Sequence, residues 1–106
     1  MTTFDEREQA FERKFAHDQK LRFDIEARAC KLFGLWLAEK MGLSGDAVKN
    51  YALEVVQSNL TEEGFDDVFR KVANDLKKKN ISISDHMLHT QFEAFLQEAE
   101  KQIQAQ

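Results

Sequence analysis

His86 and His89 stand three residues apart, a spacing that puts two imidazoles on neighbouring positions of one helix face, and His17 completes the histidine inventory. A zinc site needs a further strong ligand, and Asp85 is the one local candidate, so this pair does not read as a metal centre. Asp66 and Asp67 are the residue types of a general acid and base. Adjacent helical residues point in different directions, however, and carboxylates in a first turn favour the helix dipole, so capping is the better reading. Cys30 is the single cysteine, which excludes an internal disulfide and fits a reducing compartment. It reads as a small core or half-buried residue, not as a nucleophile. Lys77, Lys78 and Lys79 form the only basic run, at a place where a helix is expected to end. Complementing the dipole there is the simpler role, and a weak nucleotide or phosphate site is the alternative. No phosphate-cradling glycine loop, nucleophile elbow or metalloprotease helix motif occurs. The chain therefore reads as a non-enzyme, with no cofactor and no metal.

The elements that would carry these residues are helices. With 106 residues there is room for one core, and the absence of proline and the presence of only four glycines leave little material for hairpins and long loops. Charged residues of both signs make up 32% of the chain, as on solvated helix faces. The net charge of −4 argues against a nucleic-acid partner. The start Met1-Thr-Thr-Phe-Asp-Glu6 has no secretion-signal character, so a cytoplasmic location is expected. The most apolar window, Leu32 to Leu37, falls far short of the ~20 residues that cross a bilayer, so no membrane insertion is expected.

Thr3 and Glu6 have the capping-box arrangement, and no breaker follows until Gly42, where Gly42-Leu43 fits a Schellman stop. A long first helix is expected. Its second half carries Leu21, Ile25, Ala29, Leu32, Phe33, Trp36 and Leu37 at core spacing, and Gly34 within it implies a closely approaching neighbour. Its first half has only Phe4, Phe11 and Phe15 as large apolar residues, and is expected to be less ordered than the rest. Two charge ladders, Lys14-Asp18-Arg22-Glu26 and Lys20-Asp24-Arg28, would support it as a helix. Ser44 is the expected cap of a second helix with Val48, Tyr51, Ala52, Val55, Val56 and Leu60 inward. A third helix would start near Asp66 after a turn at Gly64, with Val68, Phe69, Val72, Ala73 and Leu76 inward and Asp66–Arg70 and Asp67–Lys71 pairs outward, and end at Asn80. Ser84 would cap a fourth presenting Leu88, Phe92, Phe95, Leu96, Ala99 and Ile103. The fold class is all-α: an antiparallel four-helix bundle over 21–106, preceded by a mobile arm over 1–20.

The segment from Phe4 to Asp18 is aromatic, charge-rich and not needed by the core. On chemistry alone it is either an ordinary solvated helix or a binding helix whose aromatics anchor in a partner groove. The opening Met1-Thr-Thr-Phe-Asp-Glu-Arg-Glu-Gln-Ala-Phe-Glu-Arg-Lys-Phe-Ala-His-Asp18 resembles the zeta-subunit family, the ATPase inhibitor of alphaproteobacterial F-type ATP synthase. So do Leu35-Trp36-Leu37-Ala38-Glu39, Tyr51-Ala52 and Asp67-Val68-Phe69-Arg70-Lys71. The resemblance implies a four-helix protein whose mobile N-terminal part enters the catalytic head of the ATP synthase and blocks rotation in the hydrolysing direction. It also implies a monomer that is cytoplasmic and peripheral to the inner membrane through that partner. On this reading Phe4, Glu8, Phe11, Arg13, Lys14 and Phe15 make the partner contacts. A generic helical adaptor that binds another protein through the first helix is the rival reading from the residues alone.

Overall fold

The computed structural model describes residues 19–60 and 64–104, which form four helices: α1 (Gln19–Lys40), α2 (Asp46–Ser58), α3 (Asp66–Lys78) and α4 (Asp85–Gln104). The fold is all-α. The expected capping box at Thr3 and Glu6, the first-half order of helix one and the arm over 1–20 fall mainly outside the described residues, and α1 runs through Gln19 and Lys20 without a break.

α1 is the central element, packed against both α2 and α4, while α3 leans on α2. Gly34 makes the first of these contacts possible. A Cβ placed on it would lie 2.6 Å from the Cα of Ala52 and 3.3 Å from the Cγ2 of Val55, so the two backbones meet where only a hydrogen fits. Ala27 of α1 shares a groove with Val56 of α2, so the two helices run antiparallel. α4 also runs antiparallel to α1: Trp36 meets Phe95 at one end, and Arg28 donates to Gln102 at 2.8 Å near the other.

Two helices end as their sequences predict. The Leu43 amide donates to the Ala38 carbonyl at 3.0 Å and the Gly42 amide to Glu39 at 3.1 Å, the paired bonds of a Schellman motif with Gly42 at φ 76°. Asn80, at φ 57°, does the same for α3: the Ile81 amide reaches the Leu76 carbonyl at 2.9 Å and the Asn80 amide reaches Lys77 at 3.1 Å. Asparagine tolerates this left-handed geometry better than other side chains do. In each motif the following residue, Leu43 or Ile81, folds back onto the core. Ser84 caps α4 as expected, its hydroxyl accepting from the Met87 amide at 3.1 Å.

Other expectations are corrected. Ser44 does not cap α2: Gly45 takes the cap position at φ 62°, ψ −137°, a geometry open only to glycine, and the helix starts one residue later than Ser44 requires. Leu60 is not inward but 57% exposed, because α2 has ended before it. Ala73 is exposed as well. Asp67 pairs with Arg70 at 2.8 Å, and Lys71 turns to Glu54 and Asp75 instead of Asp67. Arg22 does pair with Glu26 at 3.1 Å, but Arg28 leaves its ladder for Gln102.

The core centres on Phe33. Phe33 is fully buried, with ring centroids of Trp36, Phe69, Phe92 and Phe95 at 6.1, 6.0, 5.2 and 6.4 Å. Trp36 is half-buried at the edge of this group, with the Lys40 ammonium 5.5 Å above its ring. Replacing Phe33 with alanine should therefore cost about 3–5 kcal/mol in urea denaturation, and Trp36→Ala clearly less. Gly34→Ala gains helix propensity of about 1 kcal/mol. It still should destabilise the chain, because forcing a methyl against the Ala52 backbone costs about 1–3 kcal/mol.

Candidate interaction surface

The histidines do not converge. His89 lies flat on Phe69, centroids 3.9 Å apart and planes 12° from parallel, and its Nδ1 stands 2.8 Å from the Asp85 carbonyl. A carbonyl only accepts, so that nitrogen carries the proton. His86 is exposed on the same helix. Among the described residues no three His, Cys, Asp or Glu side chains stand close enough to share a metal ion.

Asp66 and Asp67 occupy the first turn of α3, and Lys77 and Lys78 its last turn, each complementing the dipole. Lys77 also borders an open groove of about 610 Å³ between α3 and α4, lined by Leu76, Ile81, Ile83 and Leu88, where Asp85 supplies the opposite charge. A single lysine facing a carboxylate is poor provision for a polyphosphate.

Cys30 is fully buried between α1 and its neighbours. Burial, with the Glu26 charge adding to it, pushes the thiol up from 9.0 to about 12. It stays protonated and unreactive at neutral pH.

The most organised polar group joins α2 to α3. The Tyr51 hydroxyl donates to Asp75 Oδ2 at 2.9 Å, and the Lys71 ammonium donates to the same oxygen at 3.0 Å and to Glu54 at 2.9 Å, while lying 5.2 Å over the Tyr51 ring. Burial raises the Tyr51 hydroxyl above its ordinary range, reinforced by the hydrogen bond to Asp75. Burial on its own would lower Lys71, but the hydrogen bonds to Glu54 and Asp75 and their charges outweigh it and raise the ammonium. The cluster holds one cation between two carboxylates and offers no open position to a substrate, so it fastens two helices. Sequence spacing could have shown only the Lys71–Asp75 pair; Tyr51 and Glu54 come from another helix.

The partner-contact residues expected from the sequence, Phe4, Glu8, Phe11, Arg13, Lys14 and Phe15, lie outside the described residues. Within them, the large exposed apolar side chains are Phe23, Leu53, Leu60 and Met87. The core of the described part starts with Leu21 and Ile25. No described helix is long and apolar enough to cross a membrane.

The model of the family described as ATPase inhibitor subunit zeta matches residues 1–102 of the chain. A protein whose structure was solved by solution NMR is 39% identical, over 80% of this chain and 96% of that one, and superimposes with a TM-score of 0.71. No curated protein matches.

Cys30, Tyr51 and Lys71 all hold their protons more tightly in the folded chain than in the unfolded one. The stability they give is complete below their ordinary values and is lost as pH rises through the raised ones. The urea midpoint should accordingly fall as pH rises from 9 toward 12, where Cys30 titrates, and Cys30→Val should flatten the onset of that fall. At pH 8, native Cys30 should react with a thiol reagent at least ~100-fold more slowly than in urea.

Proposed function

The chain belongs to the ATPase inhibitor subunit zeta family, and from that premise we propose that it inhibits ATP hydrolysis by F-type ATP synthase by inserting its N-terminal segment into the catalytic head. The observation that carries the inhibitor role is the family match over residues 1–102, which includes the aromatic opening together with the bundle. Support for the insertion reading comes from the division of labour along the chain. The described helices form a core from Leu21 and Ile25 onward, and Phe4, Phe11 and Phe15 precede it in sequence. Rings are the residue type that anchors in a partner groove, where buried aromatics carry much of an interface's energy.

In this reading Phe4, Phe11 and Phe15 are the apolar anchors, and Glu8, Arg13 and Lys14 supply charge complementarity at the groove rim. The bundle is too wide to follow a single helix into a groove. It arrests the turning partner as a wedge held outside. The protein performs no catalysis of its own and uses no cofactor; it acts as a monomer at the cytoplasmic face of the inner membrane, through its partner.

Deleting Met1 to Phe15 should abolish inhibition of the ATPase from the same source while far-UV circular dichroism and the urea midpoint of the remainder stay nearly unchanged. Phe11→Ala with Phe15→Ala should weaken inhibition by about 2 kcal/mol or more, the loss that defines an interface anchor. Full inhibition by the truncated chain would move the blocking surface to the bundle.

A further inference from the structure

The link between α3 and α4, residues 81–84, belongs to no helix. Ile81 and Ile83 are half-buried and pack on the core, while Ser82 between them is exposed, the alternation of an extended backbone. The Ile81 amide closes the α3 stop on Leu76, and the Ser84 carbonyl accepts from the Leu88 amide. Among the described residues no backbone hydrogen bond uses Ser82 or Ile83. A cleft that binds extended peptides therefore finds unspent main-chain donors and acceptors beside a hydroxyl that faces water. The Ser84 hydroxyl, in contrast, is engaged as the cap of α4. Open grooves flank the link: Trp36, Lys40 and Met87 wall one of about 360 Å³, Leu76, Lys77 and Leu88 wall the other of about 610 Å³, and Ser82 borders both.

Charge singles out the same place. Lys77, Lys78 and Lys79 stand five, four and three residues before Ser82, all exposed and none ion-paired among the described residues. Asp85 is the one carboxylate that lines either groove. Because the chain as a whole carries a net charge of −4, an acidic cleft is repelled by most of its surface and steered to this corner. We propose that Ser82 is a phosphorylation site, the acceptor for an ATP-dependent protein serine kinase with an acidic substrate cleft. Its Oγ attacks the γ-phosphorus of ATP; the new O–P bond forms as the bond from that phosphorus to the bridging oxygen breaks. ADP leaves with the electron pair, and the hydroxyl proton passes to the kinase's catalytic carboxylate. The product adds about −1.5 to −2 charges at a point bordered by Lys40 on one side and Lys77 on the other, which gives the phosphate a cation to pair with in each groove.

The test incubates the folded full-length chain with a soluble extract of its own cells and γ-labelled ATP, then maps the label by trypsin digestion and fragmentation. Label should sit on Ser82 within peptide 80–101, disappear in Ser82→Ala and return in Ser82→Thr. It should fall at least fivefold when Lys77, Lys78 and Lys79 are all changed to glutamine. Absence of label from Ser82 in the parent, or equal labelling of the glutamine variant, overturns the proposal. So does preference for Ser44, the exposed serine of the α1–α2 link, which has one lysine in the five residues before it. In the phosphorylated parent the phosphorus resonance should titrate at lower pH than in a chain carrying Lys40→Gln and Lys77→Gln. Identical titrations would remove the two lysines as the phosphate's partners.

Discussion

Two consecutive residues, Phe33 and Gly34, set the arrangement of the whole bundle. Phe33 is the largest fully buried side chain, and its ring draws Phe69 of α3 and Phe92 and Phe95 of α4 around α1. Gly34, about 100° further around the same helix, removes its side chain so that Ala52 of α2 can touch the backbone. One position fills space and the next vacates it. Because the two faces diverge by that angle, α2 and α4 are held on different sides of α1, and α3 closes the remaining gap through Phe69.

The aromatic edge contacts around Phe33 and Phe92 orient the helices, since rings prefer edge-to-face geometry over arbitrary stacking. The α2–α3 contact is held differently. There Tyr51, Glu54, Lys71 and Asp75 form a closed set of hydrogen bonds, and among the described residues no buried side-chain nitrogen or oxygen lacks a partner. A tyrosine on a core-facing stripe needs somewhere for its hydroxyl, and Asp75 provides it at the boundary with water.

The sequence is legible where the physics is local. The glycine and asparagine stops at Gly42 and Asn80 and the serine cap at Ser84 depend on residues within about a turn of each other, and the apolar stripes repeat turn by turn. It is silent where a distant element decides. Spacing places Phe33 and Trp36 on one stripe but cannot rank them; the ring at the centre is the one that meets rings of both α3 and α4. Ser44 lost its cap to Gly45 because the link needed a left-handed residue there. Arg28 found Gln102, far away in sequence, better placed than its ladder neighbour. Of the candidate site, Phe4 to Phe15 rest on the sequence and the family, since they lie outside the described residues.

Trp36 is the sole tryptophan and lies at the pole of the bundle away from Phe23, thirteen residues or roughly 20 Å along α1. Its indole is packed on Phe33 and Phe95 beneath the Lys40 ammonium, where solvent reaches it only in part. The protein therefore carries an optical gauge placed on its scaffold. Light emitted from the indole tracks whether the α1–α4 packing is intact, so folding can be followed without an added label.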